Sequence, residues 1–225
     1  MMTSKTVFIS RYIHSNSPLC VNANYSLVAK SLIKFESILV ESFPEADWYF
    51  FYSRNGVYFG LRQMEYRSFL NDIKIATMGK GTAQQFKAMT DRKPDFIGSG
   101  DADRVSSEFI KVAGEKKVVF IRAQNSLKSI QENLKNQLDG SDLVTYKNFI
   151  DETVIIEPTD IAIFTSPMNV DAYFKNMAPN TSSTYIALGK STKKAISKYS
   201  DQDVLMPKEP SESSIKVLID TLLAR

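Results

Sequence analysis

The chain writes one pattern twice. Asp47 to Leu61, DWYFFYSRNGVYFGL, and Asp160 to Phe174, DIAIFTSPMNVDAYF, each run from an acidic residue through an apolar stretch to a serine-bearing turn and a helical pattern. The correspondence continues in order. IATMGKGTAQQFK (Ile75 to Lys87) matches YIALGKSTKKAISK (Tyr185 to Lys198), and DFIGSGDADRVSSEFI (Asp95 to Ile110) matches DVLMPKEPSESSIKVLI (Asp203 to Ile219). A repeat of this length fixes the architecture before any single element does. The first copy goes on through VVFIRAQNSLKSIQENL and VTYKNFI, whereas the second stops without them. The equivalent pieces stand at the front of the chain, as TVFISRYIHSNSPL and IKFESILVE. One domain is therefore expected from residues 1–36 with 151–225, and a second, inserted in it, from residues 41–143. The chain crosses between them at about 34–41 and 143–150, where both segments alternate as exposed strands do, which predicts a two-stranded connector.

Within each domain short apolar runs alternate with helical patterns. Strands are expected at KTVFIS, WYFFYS, IKIATMG, PDFIG, KKVVFIR, IAIFTS, YIALG and DVLMP, besides the alternating Lys34–Glu41 and Asp142–Ile150. Helices are expected over about Asn16–Leu32, opened by Pro18, then Asn55–Met64, Thr82–Met89, Asp101–Ala113, Leu127–Leu138, the stretches after IAIFTS and after YIALG, and Ser213–Leu223. This alternation predicts an α/β protein of two doubly wound parallel-sheet domains. Its 43% apolar and 24% charged residues are those of an ordinary globular chain. The apolar runs fall far short of a membrane helix and the first residues do not read as a signal peptide, so a cytoplasmic protein is expected. Oligomerisation has no sequence signal, and a monomer is expected.

Scarcity narrows the chemistry. With Cys20 and His14 the only residues of their kinds, an internal disulfide and cysteine- or histidine-cluster metal sites are excluded. His14 has no motif around it and reads as a surface-loop residue; Cys20 reads as a small packed apolar one. A net charge of +3 suits an anionic small ligand, but no basic stripe interleaved with aromatics marks a nucleic-acid face.

In doubly wound sheets ligands lie beyond the carboxyl ends of the strands, where turns offer free N–H groups and the positive helix end. Four such turns are predicted: Ser53-Arg54-Asn55, Gly79-Lys80-Gly81-Thr82, Ser166-Pro167-Met168-Asn169 and Gly189-Lys190-Ser191-Thr192. Any one of them is an ordinary helix cap. Their repetition in register points to a cleft for a large ligand with several negative groups. GKGT and GKST are not phosphate loops, because Lys74 and Thr184 stand where that motif needs its first glycine. GSGDAD, Gly98 to Asp103, lacks the rest of a calcium loop.

IFTSPMNVDAYF, IALGKSTKKAI and PSESSIKVLIDTL, with their first-half counterparts and the nested layout, resemble the uroporphyrinogen-III synthase family over nearly the whole chain. The resemblance implies closure of linear hydroxymethylbilane to uroporphyrinogen III in the cleft between domains, with loss of water and inversion of ring D through a spiro intermediate, and no cofactor. It implies Tyr146 as the general acid for the departing hydroxyl. It further implies Ser53, Asn55, Gly79, Thr82, Ser166, Met168, Asn169, Ser191 and Thr192 as contacts to substrate carboxylates, with Arg11 and Arg122, each just after its domain's first strand, as charge partners. Tyr52, Arg54, Met168 and the lysines of KGT and KST depart from the family's usual residues. The alternative is a two-domain sensor or carrier that binds an anionic metabolite without turnover.

Overall fold

The computed structural model describes residues 5–224 apart from Asn22, residues 65–69 and Asn71. The chain divides into two compact units, Met1–Lys34 with Phe149–Arg225, and Phe35–Asn148.

In the first unit β1 (Thr6–Ile9), β2 (Ser26–Ala29), β9 (Ile161–Phe164) and β10 (Thr184–Ala187) form a sheet in the order β10-β9-β1-β2, every neighbouring pair parallel. A parallel bridge from Ile186 to Leu205 extends it at the β10 edge. Consecutive residues of the strands face opposite sides, as a pleat requires. Phe8, Ala162, Phe164 and Tyr185 lie on one side with Val170, Tyr173 and Ile196 of the helices α5 (Pro167–Asn176) and α6 (Lys190–Ile196). Val7, Ile9, Ile161, Ile163 and Ile186 lie on the other with Ile215 and Ile219 of α7 (Glu212–Leu223).

The second unit repeats this plan with a longer sheet. Its strands are β3 (Ile33–Ser37), β4 (Trp48–Phe51), β5 (Lys74–Thr77), β6 (Phe96–Ile97), β7 (Lys117–Ala123) and β8 (Asp139–Ile150), in the order β3-β8-β7-β4-β5-β6. From β8 to β6 all pairs are parallel. Tyr49, Phe51, Ile75, Val119 and Ile121 pack beneath α1 (Arg54–Gln63) and α2 (Lys80–Thr90). Trp48, Phe50, Ala76, Val118 and Phe120 pack beneath α3 (Ala102–Ala113) and α4 (Ser129–Asn133). With β7, β8, β4 and β5 set against β1, β2, β9 and β10, the two strand orders are the same. The duplication read in the sequence is thus a duplication of topology, and both sheets are doubly wound.

Two expected helices are corrected. Among the described residues of 16–32 there is no helix. Side chains there bond to the backbone and compete with helix formation: Ser17 Oγ accepts from Leu19 N at 3.1 Å, Tyr25 donates to Leu19 O at 2.9 Å, and the chain then enters β2. Leu127–Leu138 keeps only the five residues of α4, which starts from the left-handed Lys128 at φ 54° and ends at Leu134, with Asn136 at φ 66° beyond it. The Tyr52 hydroxyl from the end of β4 accepts the Ile130 and Gln131 amides and gives its own proton to Gln131 Oε1, which closes the first turn of α4 from outside. Cys20 is exposed rather than packed. Among the described residues no helix is long and apolar enough to cross a membrane.

Candidate functional site

The serine after β4 is where the expected site residues meet. Ser53, in extended backbone, caps α1: its Oγ accepts the Gly56 amide at 2.9 Å. The same oxygen stands 2.8 Å from the Tyr146 hydroxyl. Glycine at 56 lets the start of α1 lie close on β7, since a Cβ there would be 3.2 Å from the Ile121 carbonyl.

Tyr146 reaches Ser53 because β8 slips against β7. Arg122 is opposite Val144, but the next residue, Ala123, is opposite Tyr146, so Thr145 is passed over. A bulge of this kind re-aims a side chain, and here Thr145 and Tyr146 are both buried in succession. The tyrosine ring stacks on Phe59 of α1, centroids 5.2 Å apart and planes 16° apart, with Phe35 of β3 tilted against it at 6.2 Å. Gln63 of α1 ties the crossing strands together. Its amide nitrogen donates to the Ile38 carbonyl at 3.0 Å and lies within 3.3 Å of the Thr145 carbonyl, while its oxygen accepts the Val40 amide. Burial pushes the Tyr146 phenol above its usual 10.0, and the Ser53 hydrogen bond pulls it partly back. At neutral pH the phenol carries its proton.

At the next turn Gly79 begins α2 in extended backbone with no side-chain cap. Thr82, in the first turn of α2, is buried. Asn55 is half-buried in the first turn of α1. Arg54, which the sequence marked only as a departure, lies over this turn. A Cβ on Gly81 would sit 2.8 Å from its Nη2 and 2.9 Å from its Nε, so the absence of a side chain there lets the guanidinium rest on the start of α2. Among the described residues Arg54 has no carboxylate partner.

The corresponding turns of the other unit are built alike but closed differently. Ser166 caps α5 through the Asn169 amide, and its Oγ also takes the Asn169 side-chain amide at 3.0 Å, where Ser53 meets Tyr146. Asn169 is buried, and its oxygen accepts the Leu32 amide at 3.2 Å, so its side chain is spent within the fold. Met168 is half-buried, Ser191 exposed and Thr192 buried beside the N-cap Gly189. At the carboxyl ends of β1 and β9 the Ser10 and Thr165 hydroxyls meet at 3.2 Å.

The two arginines expected as charge partners are both engaged. Arg11 pairs with Glu212 of α7 at 2.7 Å, a carboxylate that also takes the Ser17 hydroxyl. Arg122 is buried, donates to the Ala123 and Gln124 carbonyls, and pairs with Asp142 across the β7–β8 join. Arg11 follows β1 as expected, but Arg122 lies within β7 and not after its unit's first strand; their partners, Glu212 and Asp142, come from elements that no local pattern connects to them. Among the described residues no three His, Cys, Asp or Glu side chains converge as metal ligands would.

Comparison with known proteins places the chain. A protein of Methanocaldococcus jannaschii, provisionally described as a uroporphyrinogen-III synthase, is 28% identical over 197 residues, 80% of each chain. The crystal structure of uroporphyrinogen-III synthetase from Helicobacter pylori superposes with a TM-score of 0.73 at 19% identity, covering 98% of this chain and all of that one. A mutant uroporphyrinogen III synthase from Thermus thermophilus gives 0.65 at 12% identity over 99% and 100%. These two likenesses are of fold. Residues 24–216 match the family described as Uroporphyrinogen-III synthase HemD, and the chain belongs to that family.

Proposed function

We propose that the protein catalyses closure of hydroxymethylbilane to uroporphyrinogen III, a cofactor-independent lyase reaction of heme biosynthesis, as a cytoplasmic monomer. The observation that carries this reading is the buried, still protonated Tyr146 hydroxyl, held at the carboxyl end of β4 in a member of this family. A bilane loses its hydroxyl readily once that oxygen is protonated, so a single weak acid suffices for the first step. Tyr146 gives its proton to the departing oxygen, water leaves, and an azafulvene cation remains. The substituted α-carbon of ring D attacks this cation to give the spiro intermediate. Reopening and reclosure then join the other α-carbon with ring D inverted, and loss of its proton restores the pyrrole and the charge balance.

Most of the task is holding a flexible chain in the conformation from which the substituted carbon reacts. The free amides and side chains at the strand-to-helix turns serve this: Asn55, Gly79 and Thr82 in one unit, and Ser166, Met168, Ser191 and Thr192 in the other, each as a hydrogen-bond donor site for substrate carboxylates. Arg54, which has no carboxylate partner among the described residues, supplies positive charge there in preference to the paired Arg11 and Arg122.

The test is a coupled assay in which hydroxymethylbilane is generated in situ, the products are oxidised, and the type I and type III isomers are separated by chromatography. Predominant type III that depends on this protein is expected. Type I alone, as in the blank, with the protein folded, would leave a binding protein for an anionic metabolite.

A further inference from the structure

We infer that Ser53 is a positioning residue that acts on the reaction through Tyr146, as the middle member of a directed chain from Gly56 N–H through Ser53 O–H to the Tyr146 oxygen. This deepens the acid role proposed for Tyr146 and rests on it. Ser53 Oγ accepts the Gly56 amide at 2.9 Å, and among the described residues the only acceptor within reach of its own proton is the tyrosine oxygen at 2.8 Å. Two hydroxyl protons meet at that contact and one hydrogen bond uses one of them. With Ser53 donating, the proton left over is the phenolic one, free to go to the leaving oxygen of the bilane. The opposite order would spend the more acidic proton on Ser53 and offer an alcohol to the substrate.

The same chain answers the charge that the step creates. As the phenolic O–H bond breaks toward the departing hydroxyl, which leaves as water, negative charge stays on the Tyr146 oxygen until it recovers a proton. Ser53 already points a donor at it, and Ser53 is polarised in turn by an amide in the first turn of α1, the positive end of that helix. Stacking on Phe59 fixes the ring so that the oxygen cannot swing from the serine. The bond opposes the burial that otherwise makes this phenol a reluctant acid.

The duplicate copy shows that folding alone does not ask for the contact. Ser166 caps α5 in the same way, yet it closes on its own helix through Asn169 and holds no tyrosine. A serine at this turn is structural in both halves; only in the second unit is it turned to a phenol.

The experiment compares kcat, KM and the pH profile of type III formation for Ser53→Ala, Ser53→Gly, Ser53→Thr and Tyr146→Phe, and for Ser53→Ala combined with Tyr146→Phe. Ser53→Gly keeps a residue tolerated at a helix start should the alanine fold poorly. The expected result is a kcat lowered roughly 10- to 100-fold by loss of Ser53 with KM little changed. The alkaline limb should move to higher pH, Ser53→Thr should restore both, and Ser53→Ala should cost nothing further once Tyr146 is phenylalanine. An unmoved limb, or an equal loss in the Tyr146→Phe background, would make Ser53 a helix cap or a direct substrate contact and overturn the inference while sparing the acid. A Tyr146→Phe enzyme at full rate would overturn the acid role and this inference with it, and type III formation by that enzyme would still stand as the function.

Discussion

Asp142 is the residue on which most of the charge in the β7–β8 join depends. Its carboxylate faces Arg122 and Lys128 and takes a hydrogen bond from Gln131. Burial by itself would raise its pKa, but the hydrogen bonds from Arg122, Lys128 and Gln131, with the guanidinium charge, outweigh it and hold the group down at about 2, from an ordinary 3.8. The sign follows from linkage. A carboxyl depressed in the folded state stabilises the fold above its unfolded pKa and loses that contribution as pH falls through the folded one. Some 2 kcal/mol should therefore be present at pH 5 and vanish between about pH 4 and pH 2. Denaturant titrations across that window should show the native protein losing stability more steeply than Asp142→Asn. Parallel slopes would mean that the ion pair contributes nothing. The same network explains the fate of Arg122 and Tyr52. An arginine after a strand and a tyrosine in a turn look alike for ligand and for structure until their partners are known, and those partners come from α4 and β8.

At the scale of elements, what the chain spelled plainly was periodicity. Strands buried on both sides, such as Trp48–Phe51 and Ile161–Phe164, and the helices of the two copies were legible because each carries its own apolar pattern and, at Ser53, Ser166 and Ser211, its own cap. Residues 16–32 and α4 were not: in the first, Ser17 and Tyr25 turn their side chains onto the backbone at Leu19, and in the second the left-handed Lys128 and the distant Tyr52 set where the helix begins. The bulge that turns Tyr146 was equally invisible, since register is a property of two strands. Another close fit is at Gly98, after β6. A Cβ there would lie 2.5 Å from the Met78 carbonyl and 2.6 Å from Val105 of α3, and neither the β5–α2 turn nor the helix can move aside cheaply. Gly98→Ala should cost about 1–3 kcal/mol and lower the melting temperature by roughly 2–10 °C. An unchanged melting curve would mean that the turn after β5 yields without strain. The neighbouring Gly100, at φ 91° with nothing near its Cβ, is a different case: there an alanine strains the backbone rather than the packing.

For the whole molecule, the two units differ in how the chain supplies them, and this has consequences for folding. The sheet from β3 to β6 is made from one continuous stretch, and α1 to α4 cover both its faces with buried aromatic and aliphatic side chains. The other sheet takes β1 and β2 from one end of the sequence and β9 and β10 from the other. There β1 lies in the interior, paired on both sides, and Phe8, stacked on Tyr173 at 5.7 Å, fills one face while Val7 and Ile9 fill the other. A fragment of residues 33–150 carries a whole core and should unfold cooperatively in denaturant, with the near-ultraviolet signal of ordered aromatics. A fragment of residues 149–224 lacks the interior strand; β9 would expose an unpaired edge and both faces would lose their central apolar residues, a loss far beyond the 5–15 kcal/mol by which a domain is stable. It should show no cooperative transition alone. A cooperative transition in the C-terminal fragment, or none in 33–150, would contradict the assignment of β1 as the keystone of its sheet. The expected pair of results would mean that the nested gene order carries a folding cost: the inserted unit can form first, while its host must wait for strands more than 150 residues apart in sequence to meet, as Val7 and Ile161 do.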